Sequence, residues 1–62
     1  MRFQVNDPVK FKTPHSTNWQ SGKVFAIHEK DGYCLIVIYS PLHGLIGKPP
    51  NEVKFPNETN GG

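Results

Sequence analysis

One cysteine and one tryptophan occur in 62 residues, and few other features announce a chemistry. A single cysteine, Cys34, excludes an internal disulfide. It lies in the most apolar stretch and reads as a small buried hydrophobe. The three histidines, His15, His28 and His43, lack metal-ligand spacing, and no cluster of Cys or carboxylates completes a site. Ser, His and acidic residues stand in no order that suggests a triad. The longest apolar run, residues 34–39, is far short of the ~20 residues that cross a bilayer as a helix. Residues 1–7 contain no apolar core of a secretory signal, so the match of Asn57-Glu58-Thr59 to a glycosylation acceptor carries no weight. Seven Lys and Arg against five Asp and Glu leave a net charge of +2. The basic residues Arg2, Lys10, Lys12, Lys23, Lys30, Lys48 and Lys54 are scattered singly, so a nucleic-acid partner is permitted but not demanded. A chain this short has little room for a buried pocket of the usual ~300 Å³ or more. The expectation is a cytoplasmic binding protein without catalysis, cofactor or metal.

Helix is also missing. Prolines at 8, 14, 41, 49, 50 and 56 and glycines at 22, 32, 44, 47, 61 and 62 interrupt every window long enough for a core-facing helix. What is present is a series of short β runs. Val9 and Phe11 alternate with Lys10 and Lys12 over residues 8–12, the period-two pattern of a strand with one buried face. Asn6-Asp7-Pro8 opens that strand as a turn, and Phe3 and Val5 continue the alternation upstream. A polar loop is expected over residues 13–18. A second strand follows over 19–29, with Gly22 marking a bulge or a close backbone approach. The successive apolar residues Val24, Phe25, Ala26 and Ile27 make this strand bent. Asp31-Gly32 is the strongest hairpin signal, because the pair suits a turn needing positive φ. Residues 33–39 are β-branched and aromatic, apolar on both faces, and therefore central. A loop at 40–44, a short strand from Leu45-Ile46 to Gly47, a tight 3-10 turn at 48–52 and a last strand at 53–55 complete the plan. The domain spans residues 1–56, and residues 57–62 form a flexible tail. Gly61-Gly62 is most simply part of that tail, since the sulfur-carrier proteins that end in such a pair need a helix across their sheet.

Five short strands, a long first loop, a tight hairpin between strands two and three and a turn before the last strand resemble an SH3-like barrel, in the variant shared by Tudor and KOW modules. The matching residues are 5–11, Trp19, Gly22-Lys23-Val24, Ile27, 33–37 and Val53. The resemblance covers residues 4–55 and implies an all-β five-stranded barrel whose closure hides its edges. It constrains function weakly, because one such fold hosts many activities. Residues 19–24 also resemble the plasmid type-II dihydrofolate reductases, SH3-like barrels that build a pore by tetramerising. Their pore strand carries Val-Gln-Ile-Tyr, where this chain has Leu45-Ile46-Gly47-Lys48. The substrate-contacting Gln and Tyr are absent, so the reductase chemistry does not carry over.

Three surfaces are candidates. Trp19, with Tyr39 or Tyr33, is a possible aromatic cage for a methylated cation; the simpler reading is that Trp19 caps the core with its N–H in water. Peptide-binding SH3 domains grip polyproline with an acidic first loop and paired tryptophans, both absent here. Lys10, Lys12, Lys23 and Lys54 would share a face if neighbouring strands align, giving phosphate contacts supplemented by stacking on Trp19 or Tyr39. Against that stands the ordinary preference of lysine for the solvent side of a strand. Leu42, Leu45 and Ile46, with His43 among them, either plug the barrel or form an apolar patch for a protein partner. The leading expectation is an adaptor acting through a protein partner or self-association, with Trp19, Tyr39, Leu42, His43, Leu45 and Ile46 as its surface. Nucleic-acid binding through the four lysines is the alternative, and a reductase-like oligomer a more distant one.

Overall fold

The computed structural model describes residues 2–14 and 16–57, with the backbone alone at Ser16. The described chain is all-β: β1 (Pro8–Thr13), β2 (Ser16–Lys30), β3 (Tyr33–Ser40), β4 (Gly44–Lys48), one 3-10 turn (Pro50–Glu52) and β5 (Val53–Lys54). The strands form one antiparallel sheet in the order β4-β3-β2-β1-β5. Consecutive strands are neighbours through β4, and β5 returns to the far side of β1. Among the described residues β4 and β5 do not pair, so the sheet stays open where the sequence suggested closure.

Alternation selects the inner face. Val9 and Phe11 of β1, Val24 of β2, Ile36 and Ile38 of β3 and Val53 of β5 are buried and form one cluster with Phe3. The 3-10 turn packs against both β3 and β5 and so bridges the two arms of the curled sheet. Pro50 starts this turn with φ preset, and the Glu52 N–H donates to Pro49 O at 3.0 Å. Phe11, Ile36 and Ile38 are fully sequestered. Truncating either isoleucine to alanine would cost ~2–5 kcal/mol, a large share of what so small a domain has.

Gly22 is the close approach expected from the sequence. A Cβ there would lie 2.5 Å from Ile38 Cγ2 and 2.9 Å from Tyr39 O. The bulge falls instead at Phe25, where the β2–β3 register shifts between Val24 and Ala26. An extra residue opposite one partner bends the strand, which lets a 15-residue strand serve both sides of the sheet. The β2–β3 hairpin turns at Asp31 and Gly32, with φ of 52° and 83°.

Three expectations need correction. The long first loop does not exist: Thr13 pairs with Ser16, so only residues 14–15 lie between β1 and β2. Residues 16–18 are strand because a β hairpin satisfies backbone groups that an open polar loop would leave to water. Leu45 and Ile46 lie in β4, the short fourth strand expected there. Phe3 and Val5 do not share an inward face, since Phe3 is buried and Val5 is 54% exposed. They lie before β1 in a non-strand segment, docked through the Asn6 N–H to Val24 O at 2.8 Å and the Val24 N–H to Asp7 O at 2.9 Å. Finally, β3 is central but not covered on both faces, as its outward Tyr33, Leu35 and Tyr39 are exposed. His15 and the proposed tail from residue 58, Gly61-Gly62 included, lie outside the described residues.

Candidate binding face

The outer face of the sheet carries what the core does not use. With Val9 and Phe11 turned in, Lys10 and Lys12 turn out. Lys10 sits directly opposite Lys54 on β5 and opposite Ser21 on β2. One step along the sheet runs a second row: Pro8 opposite Lys23, Lys23 opposite Tyr39, and Tyr39 opposite Leu45. All four residues of this row are exposed. Lys10, Lys12, Lys23 and Lys54 therefore do share one face.

Trp19 is the focus of the first group. Lys54 Nζ lies 4.3 Å from the centroid of its ring and Lys12 Nζ 5.8 Å away. Both distances fall within the range where an ammonium is drawn to the ring face. Trp19 is half-buried, so its ring remains partly in contact with water. The described carboxylates are elsewhere. Asp7 accepts from the Gln4 N–H at 2.9 Å, Glu52 pairs with Lys48 at 3.4 Å, and Glu29 and Asp31 stand at the β2–β3 hairpin. Among the described residues no carboxylate pairs with Lys10, Lys12 or Lys23. Lys10 and Lys54 thus form a like-charge cross-strand pair, an arrangement less favourable to a sheet than an opposite-charge one.

Beside this group the outer face is apolar and concave. Val5, Asn6, Lys23, Val24, Phe25 and Tyr39 line an open hollow of about 410 Å³. A second hollow of about 340 Å³, between Ser21, Gly22, Lys23, Tyr39 and Pro41, continues it toward the end of β3. Lys23 and Tyr39 belong to both. Phe25 and Val5 were not among the residues singled out from the sequence. The signal for Phe25 was the unbroken apolar run 24–27, which no regular strand can bury on one face.

An aromatic cage is not assembled. Trp19 and Tyr39 are separated by the stretch of β2 from Trp19 to Lys23, roughly 13 Å at ~3.3 Å per residue. Tyr33 stands opposite Lys30 at the hairpin. The remaining candidates disperse. Leu42 is 78% exposed, and its N–H donates to Ser40 Oγ. His43 donates its N–H to Ser40 O and sets its ring edge-on to Phe11, with centroids 6.3 Å apart. Leu45 is 57% exposed beside Tyr39, whereas Ile46 faces Ile38 and packs against the core.

Among the described residues no group of three or more His, Cys, Asp or Glu side chains could hold a metal ion. No helix of the described residues is long and apolar enough to cross a membrane. Comparison with protein-family models, with curated proteins and with solved structures finds no match to this chain.

Proposed function

We propose that the chain is an SH3-like barrel module that binds single-stranded nucleic acid on the outer face of its sheet. The observation that carries this reading is the convergence of Lys54 and Lys12 on a half-buried Trp19, with Lys10 opposite Lys54 on the same face. Lysines gathered on one face offer an anionic strand several phosphate contacts. An aromatic ring among them offers a base a stacking surface, the combination by which sequence-tolerant strand binders work. The fold assignment is supported by the meander β1–β4, the return of β5 to β1 and the 3-10 turn ahead of β5. The module acts without catalysis in this reading.

Trp19 is the sole tryptophan, so its fluorescence reports the site directly. Titration with a mixed-sequence single-stranded oligonucleotide at low salt is expected to quench it. Three to four phosphate contacts predict a slope of log K against log salt of about −2 to −3. Binding that is absent, or insensitive to salt, overturns the reading.

A second reading has its own observation. Leu42 and Leu45 are exposed next to β4, the outermost strand of an open sheet. An unpaired edge with apolar neighbours suits a protein partner or a second copy of the chain.

A further inference from the structure

We infer that the hollow bounded by Val5, Phe25 and Tyr39 is a nucleobase pocket, seating one base against the two aromatic side chains with its phosphate on Lys23. The inference rests on the strand-binding reading and adds to it a second, separate stacking point.

The pocket lies at the bulge. Along β2, alternation turns Lys23 out, Val24 in and Phe25 out, and the register shift leaves Phe25 without a partner on β3 while Ala26 falls opposite Val37. Phe25 is 58% exposed and Tyr39 49%. Val5 forms a third wall, held there by the Asn6 N–H bonded to Val24 O. Asn6 adopts φ of 79°, a left-handed conformation that asparagine tolerates better than most residues. It brings a side-chain amide to the rim, able both to donate and to accept.

The lining selects the occupant. Three apolar walls fit the flat faces of a base, and the Asn6 amide fits its polar edge. Lys23 is the only charged residue of the lining, so the hollow favours a ligand with one anionic group nearby. An aliphatic peptide side chain would leave both Asn6 and Lys23 unmatched. The pocket is also continuous with the lysine group, because Lys23 lies diagonal to Lys10 across β1 and β2. The ~13 Å from Trp19 to the Lys23–Tyr39 pair is a span suited to the shortest strand-binding sites, about four nucleotides.

The test uses a dye-labelled, mixed-sequence single-stranded octanucleotide and fluorescence anisotropy over a range of salt. Tyr39→Ala and Phe25→Ala are each expected to weaken binding about 5- to 100-fold, the effect of losing one base stack. The salt slope should stay that of the parent, since no phosphate contact is removed. Lys23→Gln should lower the slope by about 0.7. Phe25→Leu keeps apolar volume at the bulge while removing the ring, and should weaken binding as well, which guards against a folding defect in the alanine variant. If the parent protein does not bind the octanucleotide, the strand-binding reading itself fails. If the parent binds and the Tyr39 and Phe25 variants bind equally tightly, the pocket is refuted while that reading stands. A change in slope in either aromatic variant also refutes it.

Discussion

Reversing one charge should make this protein more stable and less able to bind. Lys10 stands directly opposite Lys54, with Lys12 and Lys54 both over Trp19. Lys10→Glu converts a like-charge cross-strand pair into an opposite-charge one. Each kind is worth roughly 0.2–1 kcal/mol. Both partners are half-exposed, so screening reduces the combined swing to about 0.5–1 kcal/mol. Lys and Glu have similarly low strand propensity, which leaves charge as the main difference. For a domain of this size that gain raises the melting temperature by roughly 2–8 °C. Circular dichroism melts at low salt should show it. At 1 M salt the Debye length falls to ~3 Å, and most of the gain should vanish. Lys10→Gln should give a smaller gain. Lys10→Glu should also weaken oligonucleotide binding and lower the salt slope by at least ~0.7. A variant that melts at or below the parent temperature at low salt, or whose gain ignores salt, refutes the repulsion argument. A stabilised variant that binds as well as the parent refutes the role of Lys10 in phosphate contact.

Two further outcomes are expected. Gly22→Ala places a methyl group 2.5 Å from Ile38 Cγ2 and 2.9 Å from a backbone oxygen, so it should cost ~2–3 kcal/mol and lower the melting temperature by roughly 10–20 °C in the same assay. Leu42→Ser with Leu45→Ser should change stability by no more than ~1 kcal/mol in chemical denaturation, both side chains being largely exposed. That double variant should bind the oligonucleotide like the parent. Loss of oligonucleotide binding in this variant would count against the lysine face, and loss of a concentration-dependent association in sedimentation would support the β4 edge.

Much of the fold was legible because it rests on local rules. Asp31-Gly32 needs positive φ at both positions and stands where the hairpin turns. The alternation of Val9 and Phe11 with lysine assigned β1 its inner face, and Pro49-Pro50 marked the 3-10 turn before the last strand. Residues 13–18 misled, because their polar composition matched a loop while hydrogen bonding across the hairpin drew Thr13 into β1 and residues 16–18 into β2. Gly22 left two readings open for a related reason, and the bulge itself falls at Phe25. A glycine in a strand signals either a bulge or a close contact, and only the packing of Ile38 against it distinguishes the two.

The site was legible in its members but not in its arrangement. Trp19, Tyr39 and the four lysines are identifiable by residue type, yet widely separated in the chain. Register alone decides that Lys10 meets Lys54 and that Lys23 meets Tyr39, since a slip of one residue would send each to the opposite face. The sequence by itself determined an all-β chain with a hairpin at Asp31-Gly32 and an inner row of Val9 and Phe11, because turns and alternation depend on neighbours along the chain. Only the tertiary structure decided that the lysines gather around Trp19, that Leu45 faces out while Ile46 faces in, and that Phe25 opens a hollow. Those outcomes depend on strand pairing and curvature, which are set by contacts between residues distant in sequence.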